Sequence, residues 1–380
     1  MRLPRFFLML FCVVALLTAP VFAADTIKIG AILSVTGPAS FLGAPEAKTL
    51  EMLVEDINAK GGIIGKKVEL VVKDSGGSPE KTVSFAKQLI EEEKVFAIIG
   101  PSTSGETMAI KNVAEEGKTL LISCAAAEVI VNPLAKYVFK VAPKDSYAAV
   151  KIFQQMKKMK LSRIGVLSSN TGFGKAGKEQ LEKLAPEHGI QIVVNEVYDK
   201  SATDLTAEVT KLKAAGIQAI VNWSIEPAQA IVIKNARQMG MTVPIFQSHG
   251  FANIQYAKAA GAAAEGVIFP ASRLVVADEL PDKNHQKPVI MAYKKAYEAK
   301  YGEDVSTFGG HAYDALTLLA RAIREAGDNR EKVRSSFENI RNFIGTAGIF
   351  NFSPTDHNGL DIDAFAMLTV KDGKFVLLEK

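Results

Sequence analysis

The residues of this chain that could do chemistry are few and widely spaced. Five histidines stand at 188, 249, 285, 311 and 357, and the two cysteines are Cys12 and Cys124. No histidine has the i, i+4 spacing or the paired cysteine of a metal site, so neither a metal nor a cofactor is expected. No G-x-S-x-G elbow and no P-loop occurs. His311, in "GGHAYDAL", begins a helical pattern without an evident catalytic partner, and the chain is not expected to be an enzyme. One pattern does suggest a nucleotide: Gly172-Phe173-Gly174-Lys175-Ala176-Gly177 follows the strand-like "RIGVLSS", and Glu196 lies about 20 residues on. In a dinucleotide fingerprint, however, the first glycine follows the strand almost directly. Here Asn170 and Thr171 intervene after the two serines, and NAD is not expected.

Other residues suit binding rather than catalysis. Ser104, in "GPSTSGE", opens a helical pattern, where a hydroxyl and free N–H groups could receive a carboxylate. The same residues read as a capping box, with Thr103 as cap and Glu106 three positions on, and the two readings are compatible. His249, in "FQSHGFAN", is either a satisfied strand-end imidazole or a ligand contact. An imidazole can donate to a carboxylate, hydroxyl or carbonyl, but it cannot attract a cation. The single tryptophan, Trp223, is either packing or a ligand wall, and Arg273, in "FPASRLVVADELPD", is either an exposed arginine or a bidentate carboxylate partner.

The elements that must position these residues follow from periodicity. Arg2 and Arg5, the apolar run 6–17 and "VFA" before Ala24 read as an export leader over 1–23. Without it the formal charge falls from +4 to +2, with no basic cluster of the kind nucleic-acid binders show. One remaining thiol, Cys124, cannot form an internal disulfide. From residue 27 short apolar runs alternate with amphipathic segments, which predicts parallel sheets covered on both faces. A second unit starts near 145. Near 270 the alternation gives way to helical patterns at 288–301, 310–326 and 330–341, and the chain closes on the hairpin "AFAMLTV-KDG-KFVLLE". Ligands of such folds bind beyond the carboxyl ends of the strands, here the loops after 32, 100, 123, 168, 222 and 247.

Those loops carry a resemblance. "IKIGAILSVTGPASFLG", "VEDINAKGGIIGKKVELVVKDSGGSPEKTV", "FAIIGPSTSG", "GFGKAG", "AAEGVIF" and "HAYDAL" are similar, in order and spacing, to the periplasmic binding proteins for leucine, isoleucine and valine. The resemblance covers essentially the whole chain after the leader. It implies an α/β, type I periplasmic binding protein fold, two doubly wound lobes joined by three crossovers. On it the first lobe is 24–144 plus 273–351 and the second 145–272 plus 352–380. It further implies a monomer in the periplasm that traps a small molecule between its lobes and delivers it to an inner-membrane ABC permease. A sensor that presents its closed form to a membrane receptor would carry the same sequence. The disulfide that many relatives carry in the first lobe is not expected, since Gly77 and Thr103 occupy the matching places.

The resemblance also implies a site. Ser104 and the backbone of Ala125, Ala126 and Ala127 would hold an acid group. Phe41, Leu42, Phe173, Trp223 and Ile225 would line the apolar part, Phe173 being the residue between two glycines that points into the cleft. His249 stands where amino-acid binders place an acid, commonly Glu, that pairs with the ligand's ammonium. That departure, with Ala127 where a hydroxyl is usual, favours an aromatic monocarboxylate of the benzoate type. A branched-chain or other amino acid is the alternative, and Glu226 and Glu128 are the acids that could then serve its ammonium.

Overall fold

Short runs of β-branched and aliphatic residues, each followed by an amphipathic segment, fold as the alternation requires. The structure is a computed structural model and describes residues 26–378. The expected leader and its cleavage site lie outside those residues. The first lobe begins β1 (Ile27–Leu33), α1 (Ser40–Ala59), β2 (Val68–Asp74), α2 (Pro79–Lys87) and β3 (Ala97–Ile99). It continues with α3 (Ser104–Glu116), β4 (Leu120–Ser123) and β5 (Val138–Lys140). These strands form a parallel sheet in the order β2-β1-β3-β4-β5. β5 was not expected.

The second lobe repeats the scheme with α4 (Asp145–Lys158), β6 (Arg163–Ser169), α5 (Gly172–Leu184), β7 (Gln191–Tyr198) and α6 (Thr206–Ala214). Then follow β8 (Ala219–Trp223), α7 (Ala228–Gln238), β9 (Ile245–Gln247), α8 (Ile254–Ala260) and β10 (Ile268–Ala271). The chain next adds α9 (Lys287–Tyr301), α10 (Thr307–Ala326) and α11 (Arg330–Asn339) to the first lobe, α10 lying against α1. A small antiparallel pair, β11 (Phe343–Ile344) and β12 (Ile349–Phe350), precedes the hairpin of β13 (Ala366–Lys371) and β14 (Lys374–Leu377). That hairpin extends the second sheet antiparallel, in the order β14-β13-β10-β9-β8-β6-β7.

Three passages between the lobes are located by which core takes consecutive residues. Val141 packs in the first lobe and Ala142 in the second; Ala271 packs in the second and Leu274 in the first; Ala364 packs in the first and Phe365 in the second. These changes of cluster fall at 141/142, between 271 and 274, and at 364/365, beside expected boundaries at 144/145, 272/273 and 351/352. Phe352 stays in the first lobe because it stacks on Phe350 and meets Phe139 and Phe337 edge-on, a cluster that only tertiary structure assembles. The first and third passages are joined directly: Asn358 Nδ2 donates to the carbonyls of Lys140 and Ala142, and His357 stacks on Phe139.

Candidate functional site

Several helix starts and strand ends converge between the lobes, each fixed by local chemistry. At α3, Thr103 has the extended backbone of an N-cap and its Oγ1 accepts from Glu106 N, the N-cap half of the expected capping box; the Glu106 carboxylate takes the Thr103 hydroxyl at 2.6 Å in place of the Thr103 N–H. Ser104 then faces the turn after β4, and its Oγ accepts from Ala127 N at 3.2 Å. Across the cleft, Thr171 caps α5 and sets Phe173 in its first turn. After β9, Ser248 caps the short turn that carries His249. Ser306 caps α10 and brings Phe308 and His311 to the same place.

These groups enclose a small chamber. The first lobe contributes Leu42, Ser102, Ser104, Cys124, Ala125, Ala126, Phe308 and His311; the second contributes Phe173, Ile225, His249 and Gly250. Its free volume is about 20 Å³, roughly one water's worth. Outside it, Phe173 and Ile225 also border a wider mouth of about 200 Å³ reached by Asn170, Thr171, Lys200 and Glu226.

Of the expected site residues, Leu42, Ser104, Ala125, Ala126, Phe173, Ile225 and His249 meet in this chamber. Ala127 stands one step back, its N–H spent on Ser104. Trp223 lies fully buried behind Phe173 and His249, with ring centroids 5.8 and 5.7 Å away and Nε1 without a partner. Phe41 bridges the lobes at the rim: its ring meets Tyr256 edge-on at 5.0 Å and its carbonyl accepts from Asn253 Nδ2. Arg273 is outside the group. Its guanidinium donates to the Asp363 carbonyl, tying the second passage to the third, and it is thereby turned from the cleft. Ser102, Cys124, Gly250, Phe308 and His311 were not expected. The signals available for them were the serine beside the Thr103 cap and the helix start "STFGGH".

The glycine pattern finds its explanation in packing. A Cβ on Gly172 would fall 2.7 Å from Gly105 Cα of the opposite lobe, one on Gly174 2.0 Å from the Ser169 carbonyl oxygen, and one on Gly177 2.0 Å from Trp223 Nε1. Each glycine therefore clears a specific neighbour, and none is needed for a pyrophosphate.

The electrostatics of the chamber are those of neutral donors. His249 is 7% exposed, neither ring nitrogen has a hydrogen-bond partner, and the rings of Phe173, Trp223 and Phe365 surround it. Burial first, then the charge of Lys140 and the His311 imidazole, hold it well below the ordinary histidine range, hence neutral. His311 is held down at about 3 by burial and Lys140, against a hydrogen bond to the Cys124 carbonyl, and its Nδ1 has no partner. Of the acids nearby, Glu226 receives Ser224 Oγ at 2.7 Å and Ile225 N at 3.2 Å, and neither it nor Glu128, whose Oε2 is buried without a partner, lines the chamber. Glu46, behind Ser102, accepts the Ser102 hydroxyl and is pushed toward its protonated form by burial.

Other proteins share the fold. The "Leucine-, isoleucine-, valine-, threonine-, and alanine-binding protein" of Pseudomonas aeruginosa is 28% identical over 316 residues, 82% of each chain. An extracellular ligand-binding receptor of Rhodopseudomonas palustris HaA2 superposes with a TM-score of 0.88 at 30% identity, covering 93% of this chain and 99% of its own. The branched-chain amino acid transporter substrate binding protein LivJ of Streptococcus pneumoniae, solved in complex with isoleucine, gives 0.82 at 29% identity, covering 92% and 98%. A profile of the periplasmic binding protein family matches residues 26–374, and with two parallel-sheet lobes in the type I arrangement this chain belongs to that family.

Proposed function

We propose that this protein captures a small carboxylate in the periplasm for an ABC importer, and that its ligand is an aromatic monocarboxylate of the benzoate type. The observation that carries the reading is His249: a buried neutral imidazole with both nitrogens unpartnered, facing a chamber whose lining contains no carboxylate. A ligand ammonium placed there without an acid would cost about 3–5 kcal/mol, which is roughly 100- to 1000-fold or more in affinity. A carboxylate instead meets donors, the Ser104 hydroxyl and the first turn of α3, beside a turn whose Ala125 N–H is spent on Ser123 Oγ. His249 serves a carboxylate oxygen or a second polar group, and Leu42, Phe173, Ile225 and Phe308 cover a flat apolar body.

A branched-chain amino acid is the second reading. It is favoured by the names of the relatives and by Glu46, whose Oε1 is buried without a partner one side chain behind the chamber. It requires that Glu46 ionise against its burial.

The test is a thermal-shift screen of the protein stripped of ligand by unfolding and refolding. A ligand at about 100 times its Kd stabilises by about 2.7 kcal/mol. Benzoate is expected to raise the midpoint and leucine to leave it unchanged. A shift with leucine, isoleucine or valine but not with benzoate would overturn the ligand assignment and leave the capture role in place.

A further inference from the structure

Lys140, the last residue of β5, is completely buried, and an ammonium removed from water ordinarily stands against a carboxylate. Lys140 does not. Its Nζ donates to three carbonyl oxygens, those of Ala126 at 2.8 Å, Ala142 at 2.7 Å and Pro143 at 3.3 Å. Asp145 is the acid that acts on it most strongly, but Asp145 Oδ1 accepts from Glu128 N and Ser146 N at 3.0 Å each. Among the described residues no ion pair joins the two.

The first of those carbonyls leads to the ligand chamber. The Ala126 carbonyl and the Ala127 N–H belong to one peptide group. Its oxygen takes the Lys140 ammonium, and its N–H is given to Ser104 Oγ at 3.2 Å. Ser104 Oγ accepts there, so its own hydrogen is free to donate, and Ser104 lines the chamber. The result is a directed chain: ammonium, peptide carbonyl, peptide N–H, serine hydroxyl, chamber. Each link polarises the next toward stronger donation at the far end. The other two carbonyls lie on the first passage between the lobes, so the same ammonium fixes the ligand turn to the hinge.

We propose that Lys140 is the remote cation of the ligand site, a positioning residue that never touches the ligand but makes Ser104 a donor selective for a carboxylate. The inference rests on the carboxylate reading given above. The influence of Lys140 on the chamber is also visible in both imidazoles, each held low in part by its charge, whereas Asp145 contributes to neither.

The experiment measures benzoate and its uncharged isostere benzamide by calorimetry in the native protein, Lys140→Gln and Lys140→Met. A remote cation predicts that benzoate weakens by about 10-fold or more while benzamide stays within about two-fold, as expected for one unit charge screened at an effective dielectric near 20. Ser104→Ala should cost much less in the Lys140→Gln background than alone, because the two act in series. Equal weakening of benzoate and benzamide would mean that Lys140 only supports the fold, and the proposal would fall. A measurement on the native chain covers variants that do not fold. Burial pushes Lys140 down to about 7, so benzoate's preference over benzamide should drop between about pH 6 and pH 8 as Lys140 loses its proton. Asp145, raised by burial to about 6, ionises over the lower part of that window, so the drop above pH 7 is the part that reports on Lys140; His249 and His311 are neutral throughout it. Lys144, Glu128 and Asp356 are the remaining charged groups that act on Lys140. A flat preference would refute the role. Should benzoate not bind and leucine bind instead, the ligand assignment is wrong, and leucine against leucinol gives the same carboxylate comparison in the same variants.

Discussion

Closure brings two backbones into contact at Gly105 and Gly172, the second residue of α3 and the first of α5, and a single methyl group there should hold the lobes apart. A Cβ on Gly172 would lie 2.7 Å from Gly105 Cα and 2.8 Å from Gly105 N. Ordinary carbon contacts lie at about 3.5–4.0 Å, so the overlap is near 1 Å. Neither opposing atom can turn aside, since both belong to a helix start anchored by the Thr103 N-cap. Relief therefore comes from opening the cleft. Overpacking of this kind costs about 1–3 kcal/mol, which lowers ligand affinity by roughly 5- to 150-fold. The cost falls on the closed form alone, so apparent affinity drops with the closed fraction while each lobe stays as stable as before.

Gly105→Ala is the matched control. Its Cβ would find Gly172 N at 3.8 Å and Gly172 Cα at 3.9 Å, ordinary contact distances. The assay is calorimetric affinity for whichever carboxylate shifts the melting midpoint, with small-angle scattering to follow compaction on binding. Gly172→Ala should weaken binding and leave the ligand-free midpoint unchanged; Gly105→Ala should do neither. Equal losses in the two variants, or a lowered midpoint in ligand-free Gly172→Ala, would refute the steric argument.

Cys124 offers a probe of the same opening. It lines the chamber, and burial raises its thiol well above the ordinary range, so a thiol reagent should label it only when the lobes part. A bound ligand at 100 times its Kd should slow labelling by about 100-fold, and an unchanged rate would mean that reagent reaches the thiol by another path. Acid stability should report on Glu331. Hydrogen bonds from Tyr137, Lys136 and Arg334 hold its carboxyl down at about 2, below the ordinary glutamate range. A carboxyl depressed in the folded state adds stability above about pH 4 that is lost as pH falls toward 2. Glu331→Gln should therefore flatten the acid limb of the stability curve, slightly, because the group is half exposed; an unaltered limb in acid titration would refute the assignment.

The α/β alternation was legible because periodicity is a local property: α3, α9, α10 and α11 begin within a few residues of where caps and apolar spacing put them. Features that depend on contact between distant segments were not. The return to the second lobe at Phe365 follows from Phe352 packing on Phe139 and Phe350, and no spacing announces it. The same distinction divides the site. Ser104 and Phe173 lie on loops whose motifs can be read in place, and both reach the chamber. His311 and Phe308 come from a helix that arrives after the second passage, and the sequence supplied only a helix start. Arg273 shows the limit in the other direction. Its charge and its place near a passage were correct, but side-chain direction is set by what lies opposite, and opposite it is the Asp363 carbonyl.

Charges around the cleft are arranged so that the chamber receives donors and no bare acid. Glu106 is consumed by Ser34, Thr82 and Thr103, Glu226 by its own turn, and Glu46 by Ser102. The ammonium of Lys140 is likewise turned away, onto carbonyls, yet its orientation leaves a peptide N–H directed at Ser104. The Lys140 ammonium is thus met by carbonyl dipoles, while Glu46 keeps one carboxyl oxygen, Oε1, buried without a partner. A cleft of this kind can change its ligand through a single exchange at a strand end. An acid at position 249 would add an ammonium partner without moving a strand, whereas the imidazole found there leaves every donor for an anion. On the proposed reading, position 249 at a strand end and Ser104 at a helix start would together set which ligand end is accepted.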